Sequence, residues 1–134
     1  MSGETDLNKM LETLSPALDP VSYVYVSCPP ERADLSDDLG AFATIREAEG
    51  LTLILPVEVA SKAGFDTASP QRRITLQVHS SLESVGLTAA VSAALATGGV
   101  PANMIAGYYH DHILVPANLA NLAMEILTGV ASSS

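Results

Sequence analysis

The chain of 134 residues contains no tryptophan, one cysteine and six Lys and Arg residues in all. Each scarcity excludes a class of function. Cys28 alone forms no internal disulfide and completes no cysteine-rich zinc site, which suits a reducing compartment and a buried place in a strand. Six bases against 15 acids leave a formal charge of −9, and the only adjacent basic pair is Arg72-Arg73. A nucleic-acid backbone would be repelled by such a surface. No apolar run approaches the roughly 18 residues of a membrane span. The opening MSGETDLNKM has neither the basic region nor the apolar stretch of a secretion signal. The expectation is a cytoplasmic protein with no nucleic-acid or membrane partner.

Hydrophobic residues make up 48% of the chain, enough for one ordinary domain or two small units. The charge is uneven: residues 1–70 hold 12 acids and 4 bases, residues 71–134 hold 3 and 2. Leu7, Met10, Leu11 and Leu14 fall at helical spacing, which predicts a short helix from Asp6 to Leu14 stopped by Ser15-Pro16. Val21 to Cys28 is β-branched and aromatic and predicts a strand, followed by a polar loop from Pro30 to Leu39. Phe42–Arg46 and Leu51–Leu55 predict a hairpin, and Pro56 opens a helix through Lys62 that Ala63-Gly64 closes.

In the second half, Arg73 to His79 alternates as a half-buried strand does. Gly86 leads into the helix Leu87–Thr97, which Gly98-Gly99 ends. Asn103–Gly107 and His112–Val115 predict two short strands joined by the turn YYHDH. Pro116 opens a last helix, Ala117–Leu127, ahead of a frayed tail, Ala131–Ser134.

An internal echo organises these elements. Leu55 to Ala63 and Val115 to Ala123 both run strand end, proline, helix, with Ala at the same two places, 60 residues apart. The chain reads as two related units, 1–70 and 71–134. The first is strand, no helix, strand, strand, helix, and the second strand, helix, strand, strand, helix. The second order is that of a split βαβ fold, in which the third strand lies between the first two. His79, the loop Ser80–Gly86 and the turn Tyr108–His112 then fall at one end of the sheet.

Helix N-termini offer unpaired N–H groups and a positive dipole end, and Gly86 lets a ligand approach them, so a carboxylate is the natural guest. The plainer reading is a tight turn at Gly86 with Ser81 or Ser84 as helix cap. In a continuous strand, His110 and His112 would share one face and Asp111 the other. With His79 they form a conceivable three-histidine metal set, although polar turn residues more commonly just face water. No serine or cysteine lies beside an obvious base, and no carboxylate pair is spaced for acid–base work, which argues against an enzyme.

The segment SSLESVGLTAAVSAALATGGVPANMIAGYYHDHILVP resembles the ACT domain family, small βαββαβ ligand-binding modules that regulate amino-acid metabolism. More narrowly, it is similar to bacterial two-unit ACT-like proteins of uncharacterised function, and that likeness extends to FATIREAEGLTLILP. The most specific parts are Gly86-Leu87, the Ala-rich helix, Gly99–Asn103 and GYYHDH. The resemblance implies an α+β protein of two ferredoxin-like units, with antiparallel sheets and helices on one face. The first unit is degenerate.

It also implies a non-catalytic regulatory role with no cofactor and an amino acid or similar effector as ligand. Backbone groups at Val85, Gly86 and Leu87 would hold the effector's carboxylate, while His79, Ser81, Ser84, Tyr108, His110, Asp111 and His112 contact the rest. General ACT domains carry Asp and Pro just before the glycine, where this chain has Ser84-Val85, so their loop contacts do not transfer. The second unit ends without a fourth strand, leaving an edge beside Arg73–His79 for the chain's first half or another subunit; a homodimer is expected. A metal protein built on His79, His110 and His112, and a ligand-free interaction module, are the competing readings.

Overall fold

The computed structural model describes residues 13–77 and 86–133. Among these residues six strands and four helices make a mixed α+β architecture. They fall into two compact units: an inserted unit, Val21–Gln71, and a flanking unit made of the segments before and after it.

In the inserted unit, β1 (Ser15–Cys28) enters at Val21 and is followed by a 3₁₀ turn at Pro30–Arg32 and helix α1 (Asp34–Asp38). Strands β2 (Ala43–Arg46) and β3 (Leu51–Pro56) and helix α2 (Val57–Lys62) complete it. The strand order is β2-β3-β1, and β3 is antiparallel to both neighbours. Period-two alternation sends Val24, Val26 and Cys28 of β1 and Leu51, Leu53 and Leu55 of β3 into one core with Ala60 of α2. Each fully buried leucine contributes roughly 1.5–3 kcal/mol. Cys28 is buried there, as its strand position predicts. The segment read as a loop, Pro30 to Leu39, instead carries α1, so this unit also runs strand, helix, strand, strand, helix. The helix is short, and Leu35 and Leu39 pack against the core.

The flanking unit contains the first residues of β1, then β4 (Gln71–Gln77), α3 (Leu87–Thr97), β5 (Asn103–Ala106), β6 (Asp111–Pro116) and α4 (Ala120–Ser133). Its order is β1-β4-β6-β5, so β6 does lie between β4 and β5, antiparallel to β5. Leu87, Val91 and Leu95 of α3, spaced by four, meet Ala120, Ala123 and Leu127 of α4 over Ile74, Leu76, Ile113 and Val115.

Three expectations change here. Ser15-Pro16 begins β1, and Leu14, expected as the last helical residue, is a non-helical core residue just before it; residues 6–12 of the expected helix lie outside the described residues. The edge of β4 is not open for another subunit, because the neighbouring place in the order belongs to β1. The tail does not fray at Ala131: α4 continues to Ser133, after a 3₁₀ turn at Ala117–Leu119.

The 60-residue echo holds in the hydrogen-bond register. Ala43 pairs with Ile54 as Asn103 pairs with Leu114, and Arg46 with Leu51 as Ala106 with Asp111. Pro56 (φ −55°, ψ 139°) and Pro116 (φ −53°, ψ 136°) turn the chain alike after the third strand of each unit. Four residues after each proline the small Ala60 and Ala120 are both buried.

Candidate functional site at the tyrosine turn

Because Ile74 and Leu76 point into the core, Arg73 and Thr75 of β4 lie on the other face of its strand. The same alternation puts His112 and Leu114 opposite Ile113 and Val115 in β6. Thr75 Oγ1 and His112 Nδ1 share a hydrogen bond of 3.0 Å. This contact sets the start of β6 beside the last turns of β4, so the turn before β6 lies at the end where β4 runs out.

That turn is closed by a hydrogen bond from the Gly107 N–H to the His110 carbonyl, 2.9 Å, between the paired residues Ala106 and Asp111. The inserted unit closes its equivalent turn in the same way, Glu47 N–H to Gly50 carbonyl, 3.0 Å. Tyr108 and Tyr109 occupy the tip, 83% and 82% exposed, their rings edge to face at 5.0 Å. His110 is part of the turn and exposed, whereas Asp111 and His112 are half-buried strand residues. The expected pair of histidines on one strand face is therefore not formed, since the strand begins only at Asp111. Among the described residues no three His, Cys, Asp or Glu side chains are grouped to hold a metal ion.

A glycine is required at 107: an added Cβ would stand 2.8 Å from the His110 carbonyl oxygen and 3.3 Å from His112 Nε2. The imidazole is thus held between Thr75 and the Gly107 backbone. Its burial, then the charge of Arg73, then that of His110, hold His112 below the usual imidazole range, against an opposing pull from Asp111. Arg73 is itself paired with the Asp19 carboxylate, and Arg72 Nε donates to the Asp19 carbonyl at 3.0 Å.

Of the other expected ligand contacts, Gly86 caps α3 in the left-handed region (φ 99°), and its carbonyl accepts the first helical bond, from Ala90, at 2.8 Å. Leu87 is buried in the core, so only its backbone faces the helix end. His79, Ser81, Ser84 and Val85 lie outside the described residues. Asp19, Arg73 and Thr75 were not singled out by sequence. The alternation of β4 could have placed the last two, but nothing in SPALDP marks Asp19.

Two models described as ACT domain match the chain, over residues 2–72 and 68–129. No curated protein matches. A crystal structure of a protein of unknown function from Vibrio cholerae, called a possible transport protein, is 44% identical over 97% of this chain and 99% of its own, with TM-score 0.88. A protein from Agrobacterium tumefaciens shares the fold at TM-score 0.70 and 16% identity, covering 88% of this chain and 89% of its own. The ligand-free regulatory subunit of aspartate kinase from Thermus thermophilus does so at TM-score 0.60 and 11% identity, covering 86% and 95%. No helix among the described residues is long and apolar enough to cross a membrane. Two β-α-β-β-α units of one strand order, each matched along its length by the same family description, make this chain a member of the ACT domain family.

Proposed function

We propose that this protein is a non-catalytic regulator that binds a small carboxylate-bearing metabolite, an amino acid, at the end of the flanking unit's sheet where α3 begins. The observation that carries the reading is the start of α3 at Gly86, whose left-handed backbone brings no side chain to cap the helix. The first N–H groups and the positive dipole end can then receive a carboxylate. Backbone groups of Val85, Gly86 and Leu87 hold that carboxylate in this reading, and His79, Ser81, Ser84, Tyr108, His110, Asp111 and His112 contact the remainder. Membership of the ACT family, and a fold shared with a regulatory subunit of aspartate kinase, support the ligand class. The ligand would act by stabilising one of two packings of the protein, which works as a homodimer in the cytoplasm.

A thermal-shift series on chelator-treated protein against the common amino acids tests this. A ligand present at a hundred times its Kd stabilises the native state by about 2.7 kcal/mol, so one or two amino acids should raise Tm clearly. A rise with zinc alone would replace this reading by the metal site of His79, His110 and His112. No rise with any amino acid or with zinc would leave an interaction module without a ligand.

A further inference from the structure

Tyr108 and Tyr109 are the two most exposed large hydrophobic side chains among the described residues; none of the others exceeds 44%. The fold does not require them. Sixty residues earlier, the same two places of a turn closed in the same way hold Ala48 and Glu49. Nor are they loosely held. The turn is fastened by the Gly107 to His110 hydrogen bond, the glycine leaves no room for a Cβ, and the adjoining His112 imidazole is tied to Thr75. The two rings already stand edge to face, so little freedom remains to be lost when they are buried.

Rings so exposed line no cavity, and a small ligand needs a concave site. What can bury them is a pocket on another macromolecule. Tyrosines are frequent anchors of protein interfaces, and these two would bury roughly 300–500 Å², against about 800 Å² per partner in a specific complex. Electrostatics narrow the partner. From Ile74 to Ser134 the chain has three acids and no lysine or arginine. The negative faces of the rings therefore meet no cation from their own segment, and a partner that stacks on them supplies it. A second copy is poorly suited: it carries the same charge of −9, and three of its six bases, Arg32, Arg72 and Arg73, already bond Asp34 or Asp19. Anionic lipid and nucleic acid are repelled by that charge. We infer that the tyrosine tip is the anchor by which this protein docks into a basic pocket, lined by arginine or lysine, on a different protein. The inference rests on the regulatory reading above and gives the regulated partner a surface to recognise. Tyr109 has no part in the effector contacts of that reading.

Photo-cross-linking in the cell of origin from Tyr109→p-benzoylphenylalanine fixes the partner, which is then purified and titrated against the full chain. One protein should cross-link from position 109, and not from the same probe at position 48. Purified, it should bind the wild type and lose affinity roughly tenfold or more with Tyr109→Ser and with Tyr108→Ser. It should lose as much when the arginine or lysine at its own cross-linked surface becomes alanine. Both tyrosines are exposed, so both variants should keep the wild-type circular dichroism and Tm. Absence of a cross-linked protein, affinity indifferent to both tyrosines, or an acidic or uncharged contact surface overturns the inference. So does tyrosine-dependent self-association in sedimentation velocity, or tyrosine-dependent binding to phosphatidylcholine vesicles. An amino acid that raises the Tm of Tyr109→Ser while no partner docks would sink the tip and leave the effector reading standing. A partner anchored on Tyr109, in a protein that no amino acid stabilises, would do the reverse.

Discussion

Thr75 Oγ1 and His112 Nδ1, 3.0 Å apart, join β4 to the strand that leaves the tyrosine turn. Thr75→Val keeps the β-branched shape and removes the hydroxyl, so the loss is that of one part-buried hydrogen bond, about 0.5–1.5 kcal/mol. Urea denaturation should show a lower midpoint with an unchanged slope.

The same imidazole gives stability a direction in pH. Burial and the neighbouring Arg73 hold folded His112 below the 6.5 of a free histidine. The unfolded chain then binds more protons as pH falls, so this contribution is present above the unfolded value and lost as pH drops through it. Urea melts at about pH 7.5 and about pH 5.5 should show the wild type weakened at the acid end. His112→Asn should flatten the difference, and a variant with the full wild-type dependence would show that other groups carry it.

Gly107→Ala forces a methyl group to within 2.8 Å of the His110 carbonyl oxygen, backbone that yields little. The expected cost is about 1–3 kcal/mol, the usual range for overpacking a tight contact. Backbone amide shifts in an NMR spectrum should cluster at residues 106–112.

Asp19→Asn tests what holds the first part of β1. None of residues 15–20 is buried, and Pro16 and Pro20 donate no ladder hydrogen bond. The pairing of the Asp19 carboxylate with Arg73 therefore adds to the strand pairing with β4 and the packing of Leu18 in anchoring this stretch. Loss of a charged hydrogen bond costs roughly 1.5–3 kcal/mol. Amide exchange should quicken at residues 15–20 more than in β6.

Much of this was legible in the sequence because periodicity and punctuation agreed. Helix α3 runs from Leu87 to Thr97 as Gly86 and Gly98 imply, and β6 lies between β4 and β5 as the element order implies. Ser15-Pro16 reads as the stop of a helix because proline cannot continue one, although proline is equally admissible near the start of a strand, where β1 begins. Helix α1 was missed because DLSDD carries one apolar residue and no period. The turn's place at the end of β4 followed from topology. The separation of His110 from His112 did not, since it depends on a carbonyl used to close the turn.

The course of β1 also orders events on the ribosome. Residues 21–71 are synthesised as an uninterrupted run and hold all the strands of the inserted unit, so that unit can close early. Ser15 to Pro20, made before it, wait for β4, and the core they border is completed only when Leu127 of α4 has emerged. A nascent chain halted near residue 100 should therefore present one finished unit and one still gathering its parts.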